Sequence, residues 1–126
     1  MKVVLDSSAL VAVFFNETGA NKVLPHMNKA IICSVNMAEV VHVMMRKGQS
    51  FEQAQSLFSA LNIEVAAFDA RLGFLSSQIS AVTDKKGLSL GDRACLALGL
   101  AQKLPILTAD TAWKDLDLGA DIKIIR

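Results

Sequence analysis

Five short apolar runs punctuate this chain: Lys2–Leu5, Ala30–Cys33, Ile63–Phe68, Pro105–Thr108 and Ile122–Ile125. Apart from Glu64 and Lys123 they read as continuous apolar stretches, unlike strands with one wet face, which alternate apolar and polar residues. The segments between them carry apolar residues at helical spacing. Buried strands separated by helical crossovers predict a parallel sheet covered on both faces, an α/β fold built as a three-layer α/β/α sandwich.

The helices announce themselves through their ends. Asp6-Ser7-Ser8 hands the first strand to a helix over Ala9–Phe15, and Gly19–Asn28 predicts a second, with Pro25 marking a kink or break. Ser34 opens a helix through Lys47 that Gly48 closes, and Ser50 with Glu52 and Gln53 opens another to about Leu61, together a helical hairpin. Asp69 caps a helix to about Thr83, Ser89 starts one to about Lys103, and Asp110–Leu116 predicts a short last helix.

Composition narrows the class. With 52% hydrophobic residues and a formal charge of +1 over 126 residues, the chain can bury enough apolar surface to offset its ordering entropy, which excludes intrinsic disorder. No linker, low-complexity tract or repeat divides it, so a single domain over 1–126 is expected. Asp6 stops the first apolar run well short of the roughly 7 to 15 apolar residues of a secretory signal, and no run approaches the roughly 18 of a membrane span. A cytoplasmic protein is expected. Cys33 and Cys95 form no metal-ligand or disulfide spacing and read as buried free thiols.

Four carboxylates stand out by position. Asp6 and Asp110 each follow a predicted strand, at the sheet edge where open α/β folds place their ligand sites. Glu39 and Asp92 sit in otherwise apolar helices, where unpaired charge is rare. Each has an ordinary explanation alone. Asp6 and Asp110 suit helix N-caps, Ser89-Leu90-Gly91-Asp92 reads as a capping box, and Asn36, Glu39, His42 and Arg46 recur as a solvated helical stripe.

The combination points further. Like charges about 4 Å apart repel by roughly 4 kcal/mol at an effective dielectric of 20, so a cluster needs protons or a cation. Oxygen ligands favour a hard ion, Mg²⁺ or Mn²⁺, over zinc, and His26 and His42 supply no ligand pair. Such an ion suits phosphodiester hydrolysis.

Met1-Lys-Val-Val-Leu-Asp6-Ser-Ser-Ala-Leu10, Asn36-Met-Ala-Glu39-Val, Leu90-Gly-Asp92-Arg-Ala-Cys-Leu-Ala-Leu98 and Leu107-Thr-Ala-Asp110-Thr-Ala-Trp113 resemble, in order and spacing, the motifs of PIN-domain ribonucleases. The nearest resemblance is to the VapC toxins of toxin-antitoxin pairs. It implies that Asp6, Glu39, Asp92 and Asp110 are the catalytic, metal-binding acids, with Ser7 and Thr108 as neighbouring hydroxyls. It also implies an Mg²⁺- or Mn²⁺-dependent endoribonuclease, a homodimer, and an antitoxin protein that covers the acidic site. Asp115 and Asp117 read as surface charges.

With those four acids neutralised, thirteen basic residues face eight acidic ones, a balance of +5. Arg46, Lys47, Arg71, Lys85, Lys86 and Arg93 are the candidates for RNA phosphates, and Arg93 beside Asp92 suits orienting the scissile phosphate or pairing with a carboxylate. The apolar hairpin Ser34–Leu61 suits a homodimer interface. Two other classes fit less well. An aspartyl phosphotransferase wants a second Asp where Ser8 stands, and a phosphoacceptor receiver wants adjacent acids after its first strand. The remaining alternative is a catalytically inactive PIN-like module that binds RNA or regulates.

Overall fold

The computed structural model describes residues 1–126 and contains the expected sheet. Strands β1 (Val3–Leu5), β2 (Ala30–Cys33), β3 (Glu64–Ala66), β4 (Ile106–Thr108) and β5 (Ile122–Ile124) pair in the order β3-β2-β1-β4-β5, all parallel. From β1 the chain builds outward through β2 to β3, then returns to the other side of β1 for β4. The switch point therefore lies between β1 and β4. Leu5 registers with Leu107 there, which sets Asp6 and Thr108 at the same carboxyl edge.

Side-chain alternation along the strands separates two cores. Val3, Leu5, Ile32 and Leu107 pack against Leu10 of α1 (Ser7–Phe14), Val23 of α2 (Ala20–Val23), Val40 and Met44 of α3 (Ser34–Arg46), and Phe58 of α4 (Phe51–Ala60). Val4, Ile31, Cys33 and Ile106 face the opposite layer, with Leu72 of α5 (Ala70–Gln78) and the wholly buried Ala94–Leu98 stretch of α7 (Leu90–Gln102). Burying a side chain such as Leu10 or Leu96 stabilises the fold by about 1.5–3 kcal/mol. Both cysteines are free and buried, and burial raises their thiol pKa values. No helix is long and apolar enough to cross a membrane.

Four elements depart from expectation. The predicted Gly19–Asn28 helix stops at Val23 and continues as a 3-10 helix, Leu24–Lys29, because Pro25 has no amide to donate. The Asp69 helix breaks at Ile79, and α6 (Ser80–Thr83) follows. Ser76 and Ser80 each donate to the carbonyl three residues earlier, Gly73 and Ser77, a competition with the helical ladder that bends helices. The expected Asp110–Leu116 helix is a single 3-10 turn, Thr111–Trp113, ended by extended Lys114 and by Asp115 at φ 64°. The strand expected over Ile63–Phe68 is shorter and lies at the sheet edge, with Glu64 and Val65 exposed.

Candidate functional site

Asp6 ends β1 at the switch point and is 3% exposed. It precedes α1 in the N-cap position, yet its side chain makes no cap bond. Its Oδ2 instead accepts from Ser8 Oγ at 2.6 Å and Thr108 Oγ1 at 2.9 Å, while Oδ1 is buried without a partner. Ser8 Oγ in turn accepts from the Ala109 amide at 2.9 Å, and Thr108 Oγ1 accepts from the Asp110 amide at 3.1 Å. Two hydroxyls thus tie the carboxyl ends of β1 and β4 into one unit and stop the Asp6 carboxyl from turning.

The hydroxyl expected beside Asp6 was that of Ser7. Ser8 occupies that place, and Ser7 makes no side-chain hydrogen bond. Adjacent serines at a strand-to-helix turn look alike in sequence; only the turn decides which one faces the carboxyl.

Burial raises the Asp6 pKa to about 6. The hydrogen bonds from Ser8 and Thr108 oppose the shift, and the charges of Asp92 and Glu39 add to it. Those two acids therefore act on Asp6 through space, although β1, α3 and α7 are far apart in the chain.

Glu39 is not part of a solvated stripe, as helical spacing suggested. Asn36, one turn earlier, is fully buried, and its Nδ2 donates to Glu39 Oε1 and to the Gly91 carbonyl, both at 2.9 Å. The Glu39 carboxylate rests on the backbone of Gly91, where an added Cβ would collide with it, 2.7 Å from its carbon. Asp92 follows directly. Its Oδ2 accepts from the Ser89 amide at 2.9 Å and its amide donates to Ser89 Oγ at 3.3 Å, the expected capping box, which leaves Oδ1 free. Asp110 caps its short turn, Oδ1 accepting from the Ala112 amide at 2.9 Å.

Capping and a ligand role are therefore compatible in Asp92 and Asp110, since each cap engages one oxygen. None of the chain's three ion pairs involves Asp6, Glu39, Asp92 or Asp110. The donor set is all oxygen and contains one orphaned buried carboxylate atom, which suits a hard divalent cation. The acids stand apart: no group of three or more His, Cys, Asp or Glu is close enough to hold an ion as it is. Tighter spacing of like charges requires a proton or a cation.

The basic candidates divide. Arg93, beside Asp92, forms no ion pair; Nη1 reaches the Leu88 carbonyl at 3.5 Å, and Nε is buried without a partner. Lys85 and Lys86 lie in a 3-10 turn ahead of α7, and Lys86 Nζ donates to the Lys114 carbonyl at 3.0 Å. Arg46 and Lys47 end α3, about 18 Å along its axis from the end that meets the sheet edge. Lys47 sits over the Phe15 ring at 4.8 Å. Arg46 stands two turns beyond Glu39 on the same helix, about 10 Å along its axis. Asp115 and Asp117 are exposed, as expected.

Asp6 at the β1/β4 switch point, within electrostatic reach of Asp92 and Glu39 and paired with no basic side chain, defines the class: a parallel α/β/α protein with a candidate site built from acids at the carboxyl edge of its sheet. The model of the PIN domain family matches residues 3–118, and the chain belongs to that family. Similar solved structures include DNA-bound VapBC from Salmonella typhimurium, with a TM-score of 0.78 and 17% identity over 100% of this chain and 99% of that one. Others are VapBC2 from Rickettsia felis bound to a promoter fragment, at 0.73 and 20% over 98% of each chain, and VapBC-5 from Mycobacterium tuberculosis, at 0.67 and 20% over 100% and 99%. No curated protein matches the chain.

Proposed function

We propose that residues 1–126 act as one domain, a metal-dependent endoribonuclease of the cytoplasm and the toxin of a toxin-antitoxin pair. The observation that carries this reading is Asp6: a buried carboxyl with one oxygen clamped and the other unpartnered, facing two further acids and no base. PIN-domain nucleases generally use divalent metals.

Asp6 would present Oδ1, Asp92 its free Oδ1, and Asp110 the oxygen its cap leaves open, with Glu39 completing the set. A bound Mg²⁺ or Mn²⁺ would supply the positive charge that acidifies water and offsets charge building on a phosphodiester. The chain's own work is placement. Ser8 and Thr108 fix Asp6, the Ser89 cap fixes Asp92, and Arg93 offers a guanidinium to the scissile phosphate. Lys85 extends that charge along the RNA backbone. In the hydrolysis a water oxygen would bond to phosphorus in line as the bond to the 3′ oxygen breaks, with the water's proton ending, through solvent, on that 3′ oxygen.

The similar structures are toxin-antitoxin complexes, which supports an antitoxin partner. The α3–α4 hairpin is the proposed homodimer surface. It bounds a groove of about 810 Å³ with Met37, Val41, Met45 and Phe51 among its lining, and Met45, Phe51 and Leu57 stand exposed.

The first test needs no knowledge of the RNA. Thermal unfolding is compared in chelator and in Mn²⁺ for wild type and Asp6→Asn, then total cellular RNA is incubated with each. The reading expects Mn²⁺ to stabilise wild type alone and cleavage to need both Mn²⁺ and Asp6. RNA retention that is equal in chelator and metal, without cleavage, would favour the inactive binding module instead.

A further inference from the structure

We propose that Asn36 is a positioning residue for the candidate metal site: its side-chain amide, together with the missing side chain of Gly91, aims the Glu39 carboxylate at Asp6 and Asp92. The inference rests on the metal-site reading and deepens it.

Both Nδ2 protons are committed. One goes to Glu39 Oε1 and the other to the Gly91 carbonyl, each at 2.9 Å. Two acceptors on the same atom fix the orientation of the amide, since an oxygen there would face two oxygens. The first bond links Asn36 to the residue one turn along α3; the second crosses 55 positions to the first turn of α7. A single buried group thus sets Glu39 and locks its helix to the one that carries Asp92.

Gly91 supplies the other half. Any Cβ at position 91 would occupy the space of the Glu39 carboxylate, so the carboxylate can lie against α7 only because the side chain is absent. Alanine is the better helix former, which leaves packing of Glu39 as the local reason for glycine at this helical position. Asn36 is also the right kind of donor. A lysine or arginine would orient Glu39 and cancel its charge, whereas an uncharged amide orients it and leaves the full charge for a cation.

The test is a double-mutant cycle read as Mn²⁺ affinity, with free Mn²⁺ followed by electron paramagnetic resonance, on wild type, Asn36→Ala, Glu39→Ala and the pair. Partners that orient metal ligands typically contribute about 10- to 100-fold in affinity. Asn36→Ala should therefore weaken Mn²⁺ binding about 10-fold or more in wild type and change it less than twofold in the Glu39→Ala background. Gly91→Ala, which favours α7 locally, tests the same geometry without opening the core: the structure expects a loss of similar size, again only when Glu39 is present. Equal losses with and without Glu39, or unchanged binding by Gly91→Ala, would overturn the positioning role while the metal site stands. A wild-type protein that binds no Mn²⁺ would overturn the metal reading and this role together.

Discussion

Thr108 donates its hydroxyl proton to Asp6 Oδ2 at 2.9 Å across the β1/β4 seam, joining residues 102 positions apart at the switch point of the sheet. Thr108 Oγ1 also accepts from the Asp110 amide, so one hydroxyl orients the first acid and anchors the turn that carries the fourth. Replacing Thr108 by Val keeps the shape and removes both bonds. A hydrogen bond to a charged group contributes about 1.5–3 kcal/mol. Urea unfolding at pH 7.5 in chelator should show Thr108→Val less stable by an amount of that order, and the loss should shrink at pH 5, where Asp6 is mostly protonated.

Asp6 itself makes stability depend on pH. Its folded pKa of about 6 lies above the ordinary 3.8, so the folded state holds a proton that the unfolded state releases across that window. The contribution is fully present below about pH 4 and is lost as pH rises through 6, on the order of 3 kcal/mol in all. In chelator, the difference in unfolding free energy between wild type and Asp6→Asn should follow that curve. A difference that stays flat from pH 4 to 7.5 would refute the raised pKa. Because a ligand carboxylate must first lose its proton, Mn²⁺ should stabilise wild type less as pH falls through 6.

Much of this was legible in the chain. Continuous apolar runs gave away the parallel sheet, because strands buried on both faces have no wet side to advertise, and capping residues located most helix starts. The four acids were legible by position, since polar caps and carboxyl-edge sites fall at the same places. What failed to show depends on contacts between distant segments. Asn36 looked like one more polar residue in a stripe with Glu39 and His42; its burial is imposed by α7 packing over it, which no spacing within α3 reveals. Ser8 was hidden by its twin, Ser7.

Asp92 holds a cap and a candidate ligand position at once, and two substitutions separate them. Asp92→Ala removes the acceptor of the Ser89 amide, one of the two bonds of the capping box, at a cost of about 1 kcal/mol to the folded protein, together with the charge. Asp92→Asn can keep the bond from the Ser89 amide through its carbonyl oxygen and loses only the charge. Mn²⁺ at about 100 times its dissociation constant should stabilise wild type by roughly 2.7 kcal/mol. Both variants should lose most of that gain, while in chelator only Asp92→Ala should fall clearly below wild type. An Asp92→Asn protein with the full Mn²⁺ response would remove Asp92 from the site.

The α3–α4 hairpin offers a test of assembly that leaves the four acids alone. Met45 and Phe51 are 41% and 48% exposed, unusual for side chains of their size, and both line the same groove. Large apolar side chains grouped on a surface mark a site of association. Since neither is buried in either core, Met45→Glu with Phe51→Glu should change the unfolding midpoint little. If the hairpin is the homodimer surface, light scattering should then give about half the wild-type mass. A double variant with the wild-type mass would move the interface elsewhere on the protein.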